Sequence, residues 1–398
     1  FSLSRTPSTL PFGMTQQEPL MENFYVLVEN FYVPHRFQDY RSGVEELKSG
    51  SFSVLQIWNV SIGSRSIMIK KFVNPFASVQ RAQEILRELK LICNMRHPNL
   101  QTLLEYYTVK EAENAEAIYH ITEYCGETLE NKIARHEYSM SLAQKWTSEL
   151  LGALQYLHSY GEIHRDLHPD TIRIDAHNKL TLLGFGRGRI HNRKHTMISE
   201  SFNSQFNSLH LESEHLDLQY ERRTLPYMPL EELVIWDTAY DAKVDIWSVG
   251  VILVEMITGE LLFGREGISK TLRRQIELCG YVDEEVICNI NSLEERRTVS
   301  EYSRMFERKD FIQLIYSMMK GRGGVIRSSD VSECEYTLRN FLDQTLQLNP
   351  KDRMSAHEAL CHPFLMTPRL WNQELPVDED EARKVLVQQI RREIDNAV

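Results

Sequence analysis

The chain has 398 residues, enough for one large two-part unit or for two domains. Charged residues make up 25% and apolar residues 42%, which excludes collagen-like, coiled-coil and wholly disordered chains. Acidic residues outnumber basic ones, 56 against 45, and a net charge of −11 argues against non-specific binding to a nucleic-acid backbone.

In chain order, residues 1–22 are rich in Ser, Thr, Pro and Gln without periodicity and read as a flexible tail. ENFYV occurs at 22–26 and again at 29–33, a tandem of strand-forming residues that suits extended pairing. Residues 43–72 read as strand, turn at Gly63, strand, and 77–94 switch to helical spacing through Val79, Ala82, Leu86, Leu89 and Cys93. Strand patterns return at 101–108 and 117–124, so residues 23–124 form a small β-rich lobe. A larger α-helical lobe covers 125–370. Its landmarks are the stripe Leu142, Trp146, Leu150, Leu154, Leu157, two short strands at 171–175 and 179–183, and the apolar helix VDIWSVGVILVEMI at 244–257. Residues 187–223, with the near-repeat SFNSQFNS, read as a long loop, and 371–398 as a terminal helix opened by Asp378 to Glu381. The class is α+β. Six cysteines without metal spacing read as reduced thiols, and no apolar run approaches the roughly 20 residues of a membrane span, so a cytoplasmic or nuclear location is expected. The first residue is Phe1 rather than Met, which marks the chain as a candidate fragment.

His164-Arg165-Asp166-Leu167-His168-Pro169-Asp170-Thr171 resembles the catalytic loop of eukaryotic protein kinases. Lys70 in IMIKK and Glu88 in RELK stand where that family holds the α and β phosphates. Asp245 matches the aspartate that supports the catalytic loop, and Glu231 with Arg353 match a structural ion pair. KKFVNPFASVQRAQEILRELKLICNMRHPNL at 70–100 is similar to stress-activated mitogen-activated protein kinases, as is an insert at about 258–345. The resemblance implies a bilobal kinase fold, ATP and magnesium as cofactors, and the signalling proteins of a MAP kinase cascade as partners: upstream kinases, phosphatases or substrates. Neither nucleic acid nor membrane is among them. It also places a stack of apolar side chains at Ile92, Leu103, His164 and Phe185.

Against that pattern the chain departs where chemistry is done. Asp166 stands in the base position. The family's magnesium-binding aspartate is replaced by Gly184, in Gly184-Phe185-Gly186, and its loop asparagine by Thr171, so no metal ligand is assigned. Magnesium asks for carboxylate oxygens in octahedral array, which these residues do not offer. The glycine-rich phosphate cradle keeps only Gly50, so ATP is expected to bind weakly, in a base pocket with Thr122 as gate and Glu123 to Cys125 as hinge. The activation pair is absent; Gln219-Tyr220-Glu221 fall there, with Arg165 and Arg189 left to meet a phosphate. VDEDE at 377–381 lies near the family's acidic docking patch for basic motifs. Two functions follow: a MAP-kinase-like pseudokinase that binds or scaffolds, or a divergent active serine/threonine kinase using Lys70, Glu88 and Asp166.

Overall fold

The computed structural model describes residues 25–28, 31–34, 45–49, 55–62, 65–73, 75–76, 78–110, 116–136, 138–190, 224–234, 241–290, 292–320 and 326–365. The expected tail, Gly50, Gly63, the 191–223 stretch and the expected terminal helix lie outside these residues. The chain divides into two compact units, residues 1–75 with 105–121, and residues 76–104 with 122–398.

In the first unit the tandem aromatic segments pair as β1 (Tyr25–Val28) and β2 (Phe31–Pro34), antiparallel, with Val28 opposite Phe31. A five-stranded sheet follows in the order β3-β4-β5-β7-β6, formed by Glu45–Ser49, Leu55–Ile62, Arg65–Val73, Glu116–Glu123 and Leu103–Lys110 in that order. Residues 43–72 thus hold three strands where the apolar pattern shows two. The extra strand, EELKS, carries no alternation of its own and is held by pairing with β4. On β5 Ile67, Met68 and Ile69 are consecutively buried, as expected of a strand covered on both faces. Tyr107 and Tyr119 stack at 5.0 Å, and Lys71 Nζ lies over the Tyr119 ring.

The second unit is helical. Helix α1 (Val79–Asn94) begins where Ser78 accepts a hydrogen bond from the Arg81 amide. Helices α2 (Leu129–Arg135) and α3 (Met140–Ser159) follow, and α3 buries Trp146, Leu150, Leu154 and Leu157, each worth about 1.5–3 kcal/mol of transfer free energy. After α4 (Leu230–Val234), α5 (Lys243–Thr258) is buried from Val244 to Thr258 and forms the centre of the unit. Among the described residues seven further helices, α6 to α12, lie between Ile268 and Leu360, and those at Phe311–Met319 and Glu335–Thr345 pack on α5. The side that matters here is built from short strands: β8 (Glu127–Thr128), β9 (Glu162–Ile163), β10 (Ile172–Ile174), β11 (Leu180–Leu182) and β12 (Arg189–Ile190). They form the sheets β11-β10-β8 and β12-β9. The turn between β10 and β11 is the expected one: Asn178 takes φ 58°, and Asp175 Oδ1 accepts from the His177 and Lys179 amides. The segment after Arg187, expected as loop from the start, first forms β12 against β9, because Ile163 offers it a strand edge.

Candidate functional site

Asp245, on the first turn of α5, fixes the loop after β9. Its Oδ2 accepts from the His164 amide at 3.0 Å, its Oδ1 from the Arg165 amide at 2.9 Å, and His158 Nε2 lies 2.8 Å from Oδ2. Burial works against the Asp245 carboxylate, yet these bonds, led by the one from His158, hold its pKa below the ordinary aspartate value. The His164 ring is buried, its Nε2 on the Leu183 carbonyl at 2.8 Å and its Nδ1 accepting from the Asp166 amide. Burial lowers the pKa of this imidazole, with the Asp245 charge acting the other way. Asp166 therefore stands in a rigid loop, its Oδ1 3.7 Å from His168 Nε2. The position is preserved. What should stand around it is not.

The loop closes in a 3₁₀ turn at Pro169–Thr171. The Thr171 hydroxyl lies 2.9 Å from the His168 carbonyl and 3.2 Å from the Asp166 carbonyl, and it accepts from the His168 amide. That oxygen is spent on the turn. Gly184 sits beside it at φ 90°, and a Cβ added there would come within 2.9 Å of the Thr171 methyl carbon. The two positions expected to hold magnesium are thus neighbours in space, but one has no side chain and the other a short hydroxyl whose one proton is shared between two carbonyls and which accepts from the His168 amide. Among the described residues no group of three His, Cys, Asp or Glu side chains is placed to hold a metal ion. This donor set does not fit a divalent ion.

The turn at Phe185–Arg187 nevertheless stays seated on α1. Arg87 Nη1 donates to the Gly186 carbonyl at 3.1 Å, and a Cβ on Gly186 would lie 3.6 Å from the Glu88 carboxylate. Phe185 is 1% exposed and meets the His164 ring edge-on at 5.3 Å; Ile92 and Leu103 are buried too. The four residues expected to stack are all interior.

Of the remaining candidates, Lys70 lies on β5 with Nζ 4.7 Å from the centre of the Phe72 ring, and Glu88 is a buried residue of α1. In the sheet unit His120 is fully buried beside Phe72, and neither ring nitrogen has a hydrogen-bond partner. Thr122, the expected gate, is buried and its hydroxyl accepts from Gln101 Nε2 at 3.0 Å. In the expected hinge, the Cys125 thiol donates to the Glu123 carbonyl at 3.2 Å. Burial pushes that thiol up to about 11, so it is a donor at neutral pH. Gly50 lies outside the described residues.

Arg165, expected to be left for a phosphate, already has an anion. Its Nε donates to Glu232 Oε1 at 2.8 Å, and Glu232 is so deeply buried that its carboxyl is pushed up even with the guanidinium beside it. The ion pair between Glu231 and Arg353 forms as expected, with Nη1 to Oε1 at 2.8 Å and Nη2 to Oε2 at 3.3 Å. Three residues escaped the sequence reading: His158 on Asp245, Glu232 on Arg165, and Arg173, whose Nη1 reaches the Gly126 carbonyl at 3.3 Å. Two of them left a trace. Glu232 follows a second acid inside an apolar helix, and Arg173 stands between two isoleucines of a strand.

Comparison with known proteins agrees with this arrangement. The protein kinase domain model matches residues 43–365. The mitogen-activated protein kinase pmk-3 of Caenorhabditis elegans is 27% identical over 377 residues, 90% of this chain and 70% of that protein. Mitogen-activated protein kinase HOG1A of Wallemia ichthyophaga is 27% identical over 352 residues, 88% of this chain and 83% of its own length. Mitogen-activated protein kinase pmk-1 of C. elegans is 28% identical over 348 residues, 86% and 80% of the two chains. With its supported loop, buried Glu231–Arg353 pair and seated Phe185, the chain belongs to the protein kinase domain family and is homologous to mitogen-activated protein kinases.

Proposed function

We propose that this chain is a pseudokinase, which acts by binding within a MAP kinase cascade rather than by transferring phosphate. The observation that carries this is the pair Gly184 and Thr171. Phosphoryl transfer depends on metal ions that neutralise charge on the moving group, and that contribution is worth several kcal/mol. Here one ligand position has no donor and the other has its single oxygen committed to its own turn. With each 1.4 kcal/mol costing about tenfold in rate, the loss leaves Asp166 a positioned carboxylate without a reaction. Repair is obstructed as well. Gly184→Asp alone would place a Cβ against Thr171 in a left-handed backbone conformation, so Thr171 and Gly184 have to change together.

Among the described residues the loop support by Asp245, the Glu231–Arg353 pair and the seated Phe185 turn are formed, and the similarity to MAP kinases supports upstream kinases, phosphatases or substrates of such a cascade as partners, met in the cytoplasm or nucleus. The test is transfer of labelled phosphate from ATP to generic protein substrates with magnesium or manganese. The wild-type chain and its Asp166→Ala variant should give the same background signal. Transfer by the wild type that Asp166→Ala abolishes would make the chain a divergent serine/threonine kinase and end this reading. The binding role is tested by titrating basic docking peptides against the full chain, with saturable binding expected.

A further inference from the structure

We propose that Arg173 plugs the hinge, filling the place where a purine base would bond to the main chain and excluding adenine nucleotides from a site that also lacks its metal. This deepens the pseudokinase reading and rests on it. It also differs from the expectation that the base pocket survives.

Arg173 is the middle residue of β10, between Ile172 and Ile174, and is only 5% exposed. Its guanidinium turns to the hinge. Nη1 donates to the Gly126 carbonyl at 3.3 Å, and the side chains of Tyr124 and Cys125 are near enough to act on its charge. The hinge main chain is pressed onto β10 at this point: Gly126 takes φ 89°, and a Cβ there would lie 2.0 Å from the Ile174 carbonyl. An adenine recognised by this segment would set a flat edge of N–H donors and ring acceptors against Glu123 to Cys125. A guanidinium is likewise a flat fork of N–H donors, and it is covalently attached.

The remaining bonds separate a plug from an ordinary structural arginine. A buried arginine kept for stability is expected to have its donors satisfied. Arg353 meets that standard, with Glu231, the Lys243 carbonyl and the Gln347 carbonyl all bonded. Arg173 has the single 3.3 Å bond, and its buried Nε has no partner. Burial accordingly lowers its pKa from the usual arginine value, with the nearby Asp170 carboxylate acting the other way. The Glu123 carbonyl, a natural acceptor for an amino group of a base, is meanwhile taken by the Cys125 thiol.

The experiment uses adenosine, which has neither phosphate nor need of metal, so Gly184 and Thr171 do not enter the result. Adenosine is titrated calorimetrically into the full chain, Arg173→Met and Arg173→Ala, each checked for folding by its circular-dichroism melt. The wild type should not saturate below several millimolar, and the variants should bind at least about tenfold more tightly. Wild-type binding tighter than about 100 µM would overturn the plug even if neither variant folds, and so would folded variants that bind no better than wild type. The two readings fail separately: adenosine binding by the wild type without phosphate transfer removes the plug alone, whereas transfer removes the pseudokinase.

Discussion

Two buried arginines, both in the helical unit, show how this chain has divided its inheritance. Arg353 is bonded to Glu231 and to two main-chain carbonyls, and its guanidinium lies 5.3 Å from the centre of the Trp247 ring. Arg173 has one long hydrogen bond and a stranded Nε. The first belongs to the framework: α5, the loop supported by Asp245, and the Phe185 turn on α1. The second belongs to the face where ATP and magnesium would be handled, where Gly184 and Thr171 have also departed. On the function proposed above, the framework is kept for the surface it presents and not for phosphate transfer.

The sharpest way to break the comparison is to unbalance the framework arginine. Glu231→Ala leaves a buried uncompensated charge on Arg353 and should cost about 3–5 kcal/mol in urea unfolding. A cost below about 1 kcal/mol would place Arg353 in the same class as Arg173.

Next in size is a pH effect centred on α5. Burial pushes the Glu255 carboxyl up to about 7, although the Tyr227 hydroxyl donates to it at 2.7 Å. The folded state thus holds a proton that the unfolded chain has released above about 4.5. Stability from this group is present below pH 4.5 and is lost as pH rises through 7. Glu255→Gln should therefore gain on wild type as pH rises from about 4.5 to 7, by about 3 kcal/mol in total, read from urea curves at intervals across that range. His120 works in the opposite sense. Burial, helped by the charge of Lys70, holds its pKa well below 6.5, so its contribution is present above pH 6.5 and falls away below it.

Smaller changes refine the picture. Ser78→Ala removes the cap of α1, the helix that seats the Phe185 turn, and should cost about 1 kcal/mol of stability. Arg173→Met should change stability by less than about 1 kcal/mol in either direction, since it removes a buried cation that has no bonded carboxylate. A larger loss would mean that Arg173 is part of the framework after all.

Much of this was legible in the amino-acid sequence. Helix α5 announces itself by an almost unbroken apolar run, and the loop from His164 to Thr171 by residue order. Gly184 and Thr171 needed only to be read at their positions, because a missing carboxylate is a fact of composition. What could not be read is where long side chains turn. His158 reaches Asp245 across 87 positions, Arg165 reaches Glu232 across 67, and Arg173 reaches Gly126 across 47. Such contacts are set by how strands and helices pack, not by local pattern. Strand β3 was missed for a related reason: a polar strand paired on its edge carries no periodic signal.

The most direct test of the central claim is the thermal unfolding of the purified chain with millimolar ATP, with and without magnesium. A ligand at 100 times its dissociation constant adds about 2.7 kcal/mol, enough to raise the midpoint by several degrees. With the metal ligands absent and the hinge occupied by Arg173, the midpoint should stay where it is under both conditions. A rise that requires magnesium would contradict the account, because it would mean that the chain recruits metal and nucleotide together despite Gly184.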